Sequence, residues 1–129
     1  MEKKMLQLSA LSGAIAVALG AFGAHALKAL LSPESLTTFE TGVKYQFYHS
    51  FAMLATYILY CIYPKRNLER AFYAFAVGIL LFSGSLYFLA TRSLHGFEIG
   101  LFGLLTPIGG LFFIVGWVLL MLCGNETEA

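Results

Sequence analysis

The side chains of this chain with chemistry to offer are few and mostly uncharged. They are His25, Gln46, His49, Ser83, Ser85, Thr106 and His95. Imidazole titrates near neutral pH and ligates metals and haem iron. A pair such as His25 and His49 suits a haem or quinone held between helices, and His49 alone suits a proton path. Neither histidine has a carboxylate or thiolate partner at ligand spacing, so the metal signal is weak. His95 and Glu98 read as solvated loop residues. The sequence holds no nucleophile–base arrangement, phosphate loop or carboxylate pair, which argues against hydrolytic or kinase chemistry. Cys61 and Cys123 form no Cys-x-x-Cys pair and read as small buried apolar side chains. The chain is therefore expected to be no enzyme, with no catalytic residue, metal or cofactor.

The elements that must position these residues are set by charge. Residues 5–27, 45–63, 71–91 and 99–123 contain no Asp, Glu, Lys or Arg. These four runs cover 88 of the 129 residues, and the composition is 59% hydrophobic and 12% charged. A bilayer core about 30 Å thick needs about 20 helical residues. In lipid the backbone must satisfy itself, and the runs lack the period-two alternation of barrel strands. The expected fold is all-α, a polytopic membrane protein with a four-transmembrane-helix up-down bundle. It forms one domain over residues 1–129.

The first run resembles a secretory signal, with Lys3 and Lys4 before it and Ala24-His25-Ala26 near its end. Its length and internal pattern favour a retained helix. Between runs one and two, Ser32 can cap a helix, Pro33 suits its first position, and Leu36, Phe39 and Val43 share a face. This predicts a short amphipathic surface helix over about residues 33–43. Lys3, Lys4, Lys65, Arg66 and Arg70 fall on one side, against Lys28, Lys44 and Arg92 on the other. The positive-inside rule then puts both termini in the cytoplasm.

Small residues mark the helix contacts. In run one, Ser9, Gly13, Ala16, Gly20 and Gly23 form one stripe, and Ala14, Ala18 and Ala21 lead to His25 along a second. Helix one is accordingly expected to be central and packed on two sides. Gly78 in run three and Gly100, Gly103 and Gly110 in run four keep those helices thin. Pro107 is expected to kink run four and free a carbonyl near Gly103. With these spans, His25, Gln46, His49, Ser83, Ser85 and Thr106 gather in the outer half of the bundle, as a candidate polar cluster.

Four motifs carry a family resemblance. They are Gly20-Ala21-Phe22-Gly23-Ala24-His25, Tyr45-Gln46 with His49, Phe82-Ser83-Gly84-Ser85-Leu86-Tyr87, and Thr106-Pro107-Ile108-Gly109-Gly110. In order and over nearly the whole chain, they resemble the small bacterial membrane-protein family catalogued as domain of unknown function 423. That family is related to the eukaryotic transmembrane protein 256 group. The resemblance implies a four-helix protein of the bacterial plasma (inner) membrane, and it implies no reaction, substrate or cofactor. Expected partners are the lipid bilayer and either a second copy or a larger membrane complex. The net charge of +1 argues against nucleic acid. The favoured reading is a structural or accessory protein. The alternatives are a small transporter or channel using His49 and Pro107, and a haem- or quinone-binding bundle through His25 and His49.

Overall fold

The computed structural model describes residues 1–97, 100 and 102–126. All elements among them are helical: α1 (Glu2–His25), α2 (Pro33–Ile62), α3 (Arg66–Gly78), α4 (Gly84–Ala90), α5 (Arg92–His95) and α6 (Phe102–Glu126). A single π-helical segment, Ile79–Ser83, joins α3 to α4, so residues 66–90 form one continuous rod. A short 3-10 turn, Leu27–Ala29, follows α1.

Among the described residues, three helices are long and apolar enough to cross a membrane: Glu2–Ala29, Arg66–Ala90 and Gly103–Asn125. α2 has the length but not the apolarity. Its 30 residues measure about 45 Å at 1.5 Å per residue. It carries Gln46, His49, Ser50 and Thr56, all buried. A helix flanked by other helices can hold such groups, because they bond inside the bundle rather than face lipid.

The separate surface helix over 33–43 does not form. Ser32 caps α2 through Ser35 N–H at 3.2 Å, and Pro33 takes the first turn, as the sequence indicates. The helix then runs on without a break to Ile62. The physical reason is phase. The buried positions Phe39, Gly42, Gln46, His49, Ser50, Met53 and Thr56 lie on one continuous stripe, so both halves bury the same face.

α1 is not central either. It packs chiefly on α2, with Gly23 against Phe39 and Gly20 against Val43. Its second small stripe, Ala14, Ala18 and Ala21, is exposed. Small residues permit a close approach but do not compel one, and here only one stripe is used. The central element is α2, between α1 and the α3–α4 rod. At one end, Met5 joins a core of Ala52, Met53, Ala71, Phe72, Phe75, Ile79 and Phe113. At the other, Leu27, Leu31, Phe39 and Ala90 form a second cluster.

The rod and α6 run antiparallel in strict register. Phe75 meets Gly116, Gly78 meets Phe113, Phe82 meets Gly109, and Ser85 meets Thr106. Ring and glycine alternate between the two helices, so each ring fills a notch opposite. A Cβ on Gly109 would stand 2.8 Å from Phe82 Cα, which demands glycine there. Of the glycines expected to pack, Ala16's neighbours Gly20 and Gly23 do so, and Gly78 does. Gly13 and Gly103 have nothing within 4 Å of a built Cβ, and Gly110 only Phe82 at 3.9 Å. The contact face of α6 is one residue off, at Gly109 and Gly116. α6 remains helical through Pro107, which lies exposed in its second turn. Cys123 is buried, but Cys61 is exposed at the end of α2, against expectation.

Candidate functional site

The six candidate residues do not form one cluster. α2 carries Gln46 and His49, and α1, α4 and α6 complete separate polar joints.

The first joint ties α1 and α4 to α2. Gln46 Nε2 donates to Ser12 O at 2.9 Å, and Tyr87 Oη donates to Gln46 Oε1 at 2.6 Å. Ser50 Oγ donates to Gln46 O at 2.7 Å and lies 2.6 Å from Ser12 Oγ. A hydroxyl has one proton, so Ser12 is the donor in that last pair. One amide thus links three helices.

The second joint is His49. Trp117 Nε1–H can only donate, and it reaches His49 Nε2 at 3.1 Å. Nε2 must therefore accept, which leaves the proton on Nδ1, 2.7 Å from Tyr45 O. Both ring nitrogens are engaged in a neutral imidazole. A proton on Nε2 would point at the indole N–H, donor against donor. The ring stacks on Phe113 with centroids 3.5 Å apart and planes 8° from parallel. Phe75 and Trp117 close around it at 5.7 and 6.0 Å.

Two further joints fasten the α3–α4 rod. Ser83 Oγ donates to Gly42 O of α2 at 2.7 Å. A side chain on Gly42 would collide with Tyr87, so glycine is needed for that approach. Ser85 Oγ donates to Phe82 O at 2.9 Å and pairs with Thr106 Oγ1 at 2.6 Å, so Thr106 donates.

His25 stands apart. It is exposed at the end of α1, roughly 20 Å further along that helix than Ser12 at about 1.5 Å per residue. His25 and His49 therefore cannot share one iron or one ring. Gln46 and His49 are also deeper than expected. They lie level with Ser12, near the middle of α1, because α2 starts at Pro33 and not near Tyr45. His95 is no solvated loop residue: it ends α5, partly buried, 3.0 Å from Phe88 O and stacked on the Phe88 ring. Glu98 lies outside the described residues.

Sequence reasoning missed Ser12, Ser50 and Trp117. Ser12 and Ser50 face each other on antiparallel helices, a pairing visible only once the α1–α2 register is known. Trp117 is the sole tryptophan, and an indole amid hydrocarbon needs an acceptor. That need was a usable signal.

Comparisons agree with the resemblance. The chain matches, over residues 19–110, the family described as protein of unknown function DUF423. A UPF0382 membrane protein of Haemophilus influenzae is 41% identical over 118 residues, covering 92% of this chain and 90% of the relative. A UPF0382 membrane protein of Staphylococcus saprophyticus is 40% identical, covering 93% and 95%. The UPF0382 inner membrane protein YgdD of Escherichia coli K12 is 39% identical, covering 91% and 86%. No solved structure matches. On the family match and on these full-length likenesses, the chain belongs to the DUF423 family of membrane proteins.

Proposed function

We propose that this protein is a non-enzymatic structural or accessory component of the bacterial plasma membrane, crossing it four times with both termini in the cytoplasm. The observation that carries the reading is how its polar groups are used. Gln46 and Ser83 donate to backbone carbonyls across helix seams, Ser85 and Thr106 pair across another, and His49 accepts from Trp117 of α6. Such bonds hold a bundle in one arrangement. They count against a transporter that works through protonation of His49, since both nitrogens are engaged. The distance of His25 counts against a haem or quinone bridged by the two histidines.

α2's length and central place support a fourth span, and the relatives' description as membrane proteins supports a place in the bilayer. The E. coli relative is called an inner membrane protein, which supports the location. The role predicts an assembly larger than one 14.1 kDa chain. Extraction into polymer nanodiscs followed by native mass spectrometry should give an oligomer or a defined complex. A partner-free monomer overturns the accessory role. Exposed Cys61 reports the orientation. A membrane-impermeant maleimide should label it only after cells are permeabilised, and labelling of intact cells reverses the topology.

A further inference from the structure

We infer that the crevice between α1 and the α3–α4 rod is a binding site for a neutral, tailed lipid carrying a ring carbonyl, a ligand of the quinone class. The crevice has a volume of about 360 Å³, within the roughly 300–1,000 Å³ of ligand pockets. α1 supplies Leu8, Leu11, Ile15 and Leu19 to its wall, and the rod supplies Ala76, Ile79, Leu80 and Gly84. Three uncharged polar side chains, Ser12, Gln46 and Tyr87, are set into that apolar lining, and no charged residue is.

Four observations narrow the occupant. The Met5 cluster and the Leu27–Ala90 cluster stand at the two ends of α1, so the crevice opens sideways between them. Leu80, Leu11 and Ile15 are exposed at its walls, so the mouth faces hydrocarbon. A ligand enters from within the bilayer. Second, an uncharged lining rejects ionic headgroups. Third, the polar residues sit near the middle of α1. A phospholipid's ester carbonyls belong near the membrane surface, whereas a ring on an apolar tail reaches that depth. Fourth, the Gln46 amide has two N–H donors, and Ser12 O takes one. The second has no acceptor among the described residues, and a carbonyl oxygen would supply one. The π-helical segment shapes the same wall through Ile79 and Leu80, and such segments recur at functional sites. This site uses neither histidine and is independent of the accessory role.

The test is binding of a short-tailed benzoquinone to the purified full-length protein in detergent, measured by equilibrium dialysis. The wild type should take up the probe saturably, one per chain. A Cβ on Gly84 meets nothing within 4 Å, so Gly84→Phe fills the crevice without disturbing a helix seam. It should weaken binding at least about ten-fold, and Gln46→Leu about five-fold, the loss of roughly one hydrogen bond. Ile15→Trp, at the exposed mouth, is the second blocking variant if Gly84→Phe does not fold. Circular dichroism checks that each variant keeps its helices. No saturable uptake, uptake unchanged in the blocking variants, or equal competition by the same tail lacking its ring overturns the assignment. In the last case the crevice is only a slot for hydrocarbon chains.

Discussion

The two outer seams of the bundle are built on opposite principles. Where α1 meets α2, the contact depends on hydrogen bonds: Ser12 to Ser50, and Gln46 to Ser12 O. Where the α3–α4 rod meets α6, it depends on shape. Phe75, Phe113 and Phe82 fill notches at Gly116, Gly78 and Gly109. Lipid is as apolar as leucine, so neither seam gains from excluding water. Close packing and bonded polar groups are the two sources of attraction left, and each seam draws mainly on one. At the packed seam the rings close on their glycine notches, and an open groove lined by Arg70, Tyr73, Val77, Phe112 and Val115 runs beside them. α1 packs on α2 along its length and has little contact with the rod, which leaves the crevice between α1 and the rod.

The largest expected effect lies in the packed seam. Gly109→Leu drives a side chain into the Phe82 backbone, which cannot rotate away. It should destabilise the protein by about 3 kcal/mol or more, the upper end for overpacking. Steric-trapping or denaturant unfolding in bicelles measures this. A variant as stable as wild type would mean that α6 does not meet the rod at this register.

In the bonded seam, Gln46→Leu is the largest single change. It removes the amide's bond to Ser12 O, which keeps its helix bond within α1, and takes away the acceptor of Tyr87 Oη. The same measurement should show a loss of about 1–2 kcal/mol, because each interhelical bond in a membrane is worth about 0.6 kcal/mol and an orphaned group adds to that. If the loss equals that of Gly109→Leu, the two seams do not differ in kind.

Much of this contrast was legible in the chain, and the rest had identifiable reasons for being hidden. The apolar runs gave the helices, and Ser32-Pro33 gave the start of α2, because charge and capping act locally. The continuity of α2 was also present in principle. Leu36, Phe39 and Val43 are in phase with Gln46 and Met53, so one stripe crosses the charged Lys44. Reading the charges as a membrane boundary obscured it. Register between helices was not legible. Gly109 and Gly110 are adjacent and chemically identical, and only the position of Phe82 selects the first. The polar residues were found in large part, yet their grouping was wrong, since stripes on one helix do not say which neighbour each face meets.

His49 lies between α2 and α6 and combines both principles, a stacked ring and two hydrogen bonds. His49→Phe keeps the stack on Phe113 and removes the bonds to Tyr45 O and Trp117. The expected cost is about 1 kcal/mol, near the middle of the range for membrane hydrogen bonds. Trp117 is the only tryptophan, so its emission reports the lost bond directly. A shift in emission with a small loss of stability is expected. Unchanged emission would mean that the indole does not bond to the imidazole.

The smallest effect separates small residues that pack from small residues that do not. Gly13 belongs by spacing to the same stripe as Ala16, Gly20 and Gly23, but a Cβ there meets nothing within 4 Å. Gly13→Ala should therefore be neutral or stabilising by up to about 1 kcal/mol, the helix-propensity difference. Gly23→Ala differs by nearly three turns of the same helix and by one ring. Its Cβ would stand 3.0 Å from two Phe39 carbons, so the ring must give way. Opposite signs for the two variants in one unfolding assay follow from the seam as drawn. A destabilising Gly13→Ala would instead indicate that a second helix covers that stretch of α1 in the membrane, which is what assembly with another copy or a larger complex requires.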